Sequence, residues 1–435
     1  MARKGAAGGK TLRGRGGPLM EALAQESVFS PDFESFEAEH APVAPWLREL
    51  RRDAFDRFAK TGFPTPKEEA WRTTRVEPIT QVPWVLERNG QPELRPARLP
   101  RGVRVASLRD VLAKEPETVR PHLASVAGFD RNPFVALNTA FLGNGVLVEI
   151  GRGIVVEEPI ELRYRSGSAT EPRVAHGRVL ILASEGSQAT VIETYEGNGG
   201  GPYFTNAVTE IAVGDGAVLE HIKVQREDAR AFHLQTIAAR QGRSSRFTSQ
   251  NVALGALLAR TDLTVSLEAE GSECTLDGLF VGNGTQHLDN HTMIDHAKPH
   301  CTSRELYKGI LDGKSRGVFY GKILVRPDAQ KTDAIQTNKN LLLSGEALAH
   351  STPALEILAD DVKCKHGSTI GQLDANALFY LRSRGIGESE ARALLTYAFA
   401  ADVVGRIRVE PIRASIEASL GLRLPGSAGV LGVTR

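Results

Sequence analysis

Cysteine is scarce in this chain. Cys274, Cys301 and Cys364 are the only three among 435 residues, and they lie far apart. An odd, scattered set is no disulfide framework and fits a reducing compartment. With no CxxC pair, no self-sufficient zinc site is readable. An excess of one charge is lacking too: 53 Lys+Arg against 52 Asp+Glu leave a formal net charge of +1, which argues against a nucleic-acid binder working through a chain-wide basic surface. There is no run of about 18 apolar residues, so no helical membrane span is expected. No GxxxxGK[ST] phosphate loop or HExxH helix occurs. Residues 1–20 are basic and lack both the apolar stretch of a secretory signal and the serines of a transit peptide. They read as a flexible tail on a cytoplasmic protein.

What is present falls into three textures. Residues 21–131 form a helical region and linker: Trp46, Leu47, Leu50, Ala54, Phe55, Phe58 and Ala59 recur at spacings of three and four. Gly62, Pro64 and Pro66 end that helix. A second short helix is expected over Lys67 to Thr73, and an irregular wrap over Pro83 to Pro100. Residues 132–373 carry short runs rich in valine, isoleucine and leucine, such as Val146–Ile150, Val179–Ala183 and Val218–Val224, between glycine-containing turns. Gly186, Gly214, Gly242 and Gly271 recur at a nearly fixed interval, each followed three residues later by a small residue: Ala189, Ala217, Ser245 and Cys274. A fixed period with turn glycines in phase means stacked units that bury a core only together. The expected fold is therefore mainly β, a central right-handed parallel β-helix flanked by N-terminal and C-terminal helical regions. An antiparallel sandwich with coincidental spacing is the alternative. Residues 374–435 return to helix, with Ala391, Leu394, Leu395, Ala398 and Phe399 on one stripe and Ile412, Ile416 and Leu420 on another. Helices at both termini would suit capping of the stack, and their outer faces could equally dock partners.

Two clusters could carry chemistry. His287, His291, His296 and His300 fall close together beside Cys301, but strand parity sends them to opposite faces, so stacked or surface histidines are the default over a free-standing metalloprotein. The second is sharper: Cys364 and His366 stand two residues apart. In a strand their side chains leave the same face, about 7 Å apart along the backbone, and thiolate with imidazole suits iron or zinc. Two ligands do not close a site, so the rest would come from another chain or a transient species. The plainer alternative is a buried cysteine beside a hydrogen-bonded histidine.

Long motifs after residue 300 resemble the SufB/SufD family of iron–sulfur cluster assembly scaffolds: Tyr307-Lys-Gly-Ile310, Val318-Phe-Tyr-Gly321, Thr332 to Ser344, Pro353-Ala-Leu-Glu-Ile357, Asp360 to Gly367 and Phe379 to Ile386. Gly62 to Thr73 is similar to the family's N-terminal motif. The resemblance runs from about residue 45 to 410 and is nearer the SufD branch, because the cysteine that a SufB carries near Thr337-Asn338-Lys339 is absent and Gly367 stands where a SufB has glutamate. It implies a non-catalytic scaffold subunit of the SUF system, pairing through its β-helix with a SufB-like subunit and through its C-terminal helices with a SufC-like ATPase. It further implies that His366, with Cys364 beside it, contributes to a transient iron–sulfur cluster shared with the partner, with no permanently bound cofactor, nucleic acid or membrane. A β-helix carbohydrate-active enzyme and a metalloprotein built on the histidine tract are the competing readings.

Overall fold

The computed structural model describes residues 32–423 except 42, 89, 96–97 and 168–170. The basic tail at 1–20 lies outside the described residues. From Gly145 onward the chain is dominated by two sheets whose successive strands pair in parallel, so that alternate strands join the same sheet. Val218 faces Arg246, which faces Glu273, then Thr302, Asp333 and Lys363 on successive coils. Coil length varies little: 27 residues separate Arg246 from Glu273 and 31 separate Thr302 from Asp333. This is a parallel β-solenoid, and the parallel pairing overturns the sandwich alternative. Its strands mostly run to ten residues, far beyond the apolar runs visible in sequence, because their inner faces carry polar as well as apolar side chains.

The repeat is real, but its phase differs from the glycine series. The left-handed turn position is held in succession by Gly186, Gly216, Ser244, Gly271, His300 and Lys331, all at φ between 51° and 75°. Each donates its backbone N–H to a carbonyl of the next coil, as Gly186 does to Asp215 and Gly216 to Arg243. Gly214 and Gly242 sit two residues earlier and are small for another reason: a Cβ on Gly214 would stand 2.7 Å from the Glu185 backbone nitrogen. The buried small column behind the turn is Ser187, Ala217, Ser245, Ser272 and Cys301, each at most 1% exposed. Ala189 and Cys274 therefore belong to a different column. Cys301 is a packing residue of the turn stack, its Sγ 3.3 Å from the Ala269 carbonyl oxygen.

Inside the coils, Val191, Leu219, Phe247, Leu263, Leu276, Ile294 and Phe319 form the apolar core. The N-terminal region packs on one sheet and on the first coils. The helix Pro45–Thr61 buries Leu47, Ala54 and Phe58, while Phe134 of the helix Pro133–Ala140 packs among Trp71, Phe63 and Phe204. The expected helix over Lys67 to Thr73 is one 3-10 turn, Glu69–Trp71, and the wrap over Pro83 to Pro100 contains two short strands, Val85–Leu86 and Glu93–Arg95. Arg178 and Glu210, both fully buried, join the sheet to this region: Glu210 also accepts the backbone N–H groups of Ala124, Val126 and Ala127.

The C-terminal helices do not cap the stack. Glu388–Val404 and Glu410–Arg423 lie on the outer side of the other sheet, where Ile222, Val224, Val252, Leu254, Leu279 and Val281 meet Ala400, Val403, Val404, Ile416 and Leu420. The outer face of that sheet is apolar, so it needs a cover along its side, and the helices supply it. The buried face of Glu388–Val404 is rotated from the expected stripe: Ala391, Ala393, Thr396 and Ala400 are buried, whereas Leu394, Leu395 and Phe399 are half-buried and Ala398 is exposed. Among the described residues no helix is long and apolar enough to cross a membrane.

Candidate site at the open end of the solenoid

Because the helices dock sideways, the last coil is left bare. Among the described residues, the strands Leu348–Ile357 and Lys363–Gly371 are the terminal members of their sheets, each paired on one side only. Leu348, Ile357, Leu358 and Ile370 are all exposed there. Unpaired strand edges of this kind are templates for another strand unless they are blunted. One of the two is blunted. Leu348 donates its N–H inward to Ser315, and successive N–H groups along a strand point to alternate sides. Pro353, of opposite parity, therefore sits where an N–H would face the open edge. The other edge has no such device. Lys363 donates inward to Thr332, so the backbone groups of Cys364, His366, Ser368 and Ile370 face outward.

Cys364 and His366 occupy this second edge and share a face. Cys364 is in register with Ala334, and His366 with Gln336, both interior residues of the preceding coil. The two side chains therefore stand on the interior face of the last coil, with no further coil above them. Cys364 is half-buried against Leu355, Val362 and Ala359; His366 is exposed. A Cβ on Gly367 would meet nothing within 4 Å, a measure of the open space beside His366. Burial raises the Cys364 thiol above its ordinary range, with the Asp333 carboxylate adding in the same direction against a backbone hydrogen bond at Ala334. At neutral pH it is a thiol rather than a preformed thiolate.

Beneath His366 runs a polar interior column that sequence reasoning missed. Gln336 is fully buried; its Nε2 donates to Glu305 Oε2 at 2.8 Å, and its Oε1 has no hydrogen-bond partner among the described residues. The period alone could have found the pair, since stepping back one coil from His366 reaches Gln336 and another reaches Glu305.

The histidine tract does not converge. His287 and His291 lie on the outer face, where His287 Nε2 is 2.9 Å from Thr74 Oγ1 and His291 pairs with Asp289 and stacks on Tyr320. His296 is buried in the interior and bonds Ser303, while His300 is the left-handed residue of a turn. Among the described residues no group of three or more His, Cys, Asp or Glu side chains is arranged to hold a metal ion.

The chain is thus a parallel β-solenoid protein with side-docked helices and a bare terminal coil that carries a thiol and an imidazole on one face. Comparison with known proteins places it within a family. Residues 164–399 match the SufBD core domain of the SUF system for FeS cluster assembly, and residues 90–162 match the SufBD protein N-terminal region. The chain is 30% identical to the iron–sulfur cluster assembly protein SufD of Escherichia coli over 90% of its own length and 96% of that protein. A SufBD family protein of Synechocystis sp. is 31% identical, covering 86% of this chain and 90% of the relative. The chloroplastic protein ABCI7 of Arabidopsis thaliana is 28% identical, with 84% of each chain covered. The chain belongs to the SufBD family of iron–sulfur cluster assembly proteins and is a homologue of SufD.

Proposed function

We propose that this chain is a non-catalytic scaffold subunit of the SUF system, on which an iron–sulfur cluster is assembled as cargo at a junction with a SufB-type subunit. The observation that carries the reading is the bare edge of Lys363–Gly371, which offers unpaired backbone groups and the Cys364 and His366 side chains at one place. A partner strand adding to that edge would gain main-chain hydrogen bonds and bring its own ligands beside the imidazole. Two groups from one chain bind iron weakly. Completing the set from a second chain makes retention of the cargo depend on assembly. An imidazole is an apt iron ligand and His366 is exposed, whereas Cys364 must lose a proton from a thiol whose pKa is raised. His366 is accordingly assigned the main contribution and Cys364 the auxiliary one.

The C-terminal helices are assigned to a SufC-type ATPase. The helix Ala375–Ser383 buries none of its residues and leaves Phe379 at 73% and Tyr380 at 56% exposure, an aromatic pair of the sort that anchors protein interfaces. The test is co-purification with the two partner subunits followed by anaerobic cluster reconstitution. His366→Ala should leave folding and complex formation intact, because the side chain is exposed, and abolish cluster build-up on the complex. Cys364→Ala should lower the yield only partly. A normal cluster yield with His366→Ala would overturn the assignment.

A further inference from the structure

A groove of about 550 Å³ lies on the outer face of the sheet opposite the C-terminal helices, between the N-terminal segment after Trp71 and the strands that begin at His287 and Arg316. That size falls among small-molecule sites, which run to roughly 300–1,000 Å³. Its walls are basic: Arg72, Arg75 and Arg316, with His287 and His350 beside them, and among the described residues no acidic side chain lines it. Its floor includes Phe232, Leu258 and Val318.

Among the described residues, none of the three guanidinium groups has an ion pair or a side-chain hydrogen bond, so all three are free to meet a ligand. The nearby carboxylates are already engaged. Arg260 binds Asp262 at 2.7 Å and Asp289 at 2.9 Å, and Asp289 also takes Thr74 and His291. The cavity beside Tyr164 and Tyr195 lacks this property, since its arginines pair with acids: Arg165 with Glu196 and Arg173 with Glu87.

The cationic wall is also held in place. Trp71 is buried with the Arg260 guanidinium 3.8 Å from its ring centroid, and Arg260 donates to the Ala70 carbonyl at 2.7 Å. Thr74 is buried, its hydroxyl donating to Asp289, and Val76 is buried next along the segment. With Trp71, Thr74 and Val76 clamped inward, Arg72 and Arg75 are left exposed on the groove side. Arg316 enters from the sheet, in register between His287 and Leu348.

We propose that this groove binds a phosphate-bearing ligand of nucleotide size. Guanidinium forks match phosphate oxygens in geometry and charge. Three of them around one concavity suit a group with more than one negative charge, and the Phe232–Leu258–Val318 floor suits an apolar planar body. The groove reaches Leu348 and His350 on the last coil but includes no residue of the strand Lys363–Gly371, so its failure would leave the scaffold reading untouched.

The experiment is calorimetric titration of the full chain at low salt with ADP, adenosine and inorganic pyrophosphate. ADP should bind and weaken as salt is added, adenosine should give no measurable binding, and pyrophosphate should bind at least ~10-fold more weakly than ADP. Arg75→Gln with Arg316→Gln should reduce ADP affinity by roughly tenfold or more, while Arg152→Gln, far from the groove, should leave it unchanged. All three positions are exposed, and circular dichroism on each variant verifies the fold. No binding of ADP at millimolar concentration, an unchanged affinity in the double variant, or pyrophosphate binding as tightly as ADP would each overturn the proposal.

Discussion

Gln336 and Glu305 join adjacent coils inside the solenoid, the amide Nε2 donating to the carboxyl Oε2 at 2.8 Å. Burial pushes the Glu305 carboxyl up to about 7, opposed by the neighbouring Thr292 and Gln336 side chains and reinforced by Asp277. Its ordinary value is 4.5, so between 4.5 and about 7 the native state holds a proton that the unfolded chain has released. The contribution of this group to stability is whole below 4.5 and is lost as pH rises through about 7. Glu305→Gln removes the titration while keeping an amide in the column. It should raise stability at pH 8 by about 1–3 kcal/mol and have little effect near pH 4. Urea unfolding across that pH range checks it, and an unchanged slope in the variant would place the pH dependence elsewhere.

The Arg178–Glu210 pair makes the opposite demand. Both side chains are fully buried, and Glu210 additionally accepts three backbone N–H groups from the segment 124–127. Glu210→Ala leaves a buried guanidinium without its counter-ion and those three donors without an acceptor. The expected loss is about 3–5 kcal/mol. Replacing both partners with apolar residues, Arg178→Met with Glu210→Leu, should cost less than Glu210→Ala alone, since no uncompensated charge remains. Chemical denaturation of the parent and the two variants gives the comparison directly.

The solenoid was legible because its turns repeat at nearly constant length, and a periodic glycine signal survives even where its phase is misread. Gly186 and Gly271 are left-handed turn residues, but Gly214 and Gly242 are close-approach residues two positions earlier. One-letter spacing cannot separate those two reasons for glycine. Non-glycine residues in the same turn, Ser244, His300 and Lys331, hid the rest of the column. The shared face of Cys364 and His366 followed from strand parity alone. Their position on a bare coil did not, because the sideways docking of the C-terminal helices depends on Ile222, Val252 and Leu279 facing outward together, a relation between coils rather than within one. The Arg72, Arg75 and Arg316 groove was invisible for the same reason: it joins residues some 240 positions apart in the chain.

Phe379 carries a prediction that separates docking from folding. At 73% exposure in a helix with no buried residue, its replacement by aspartate leaves the core untouched, so stability should stay within about 0.5 kcal/mol of the parent. If the helix anchors the ATPase subunit, affinity for that subunit should fall by roughly tenfold or more. Titration calorimetry or a quantitative pull-down reads the loss. Unchanged affinity for both Phe379→Asp and Tyr380→Asp would move the docking surface elsewhere on the C-terminal helices.

Ser368→Pro tests the bare edge itself. Lys363 bonds inward to Thr332, so by alternation the N–H of Ser368 faces the open side. Proline there deletes an outward donor without removing a bond to the strand Asp333–Leu342, and the preceding Gly367 has open space to adjust. The native precedent is Pro353, which occupies the equivalent outward position on the neighbouring edge. Proline also breaks the Ser368 hydroxyl bond to Ser351 at 2.7 Å, and Ser368→Ala measures that effect separately. The proline variant should keep the parent's stability to within about 1 kcal/mol and fail to co-purify with the SufB-type subunit, while the alanine variant should co-purify normally. If the proline variant assembles as well as the parent, strand addition at Lys363–Gly371 is not how the two scaffolds meet.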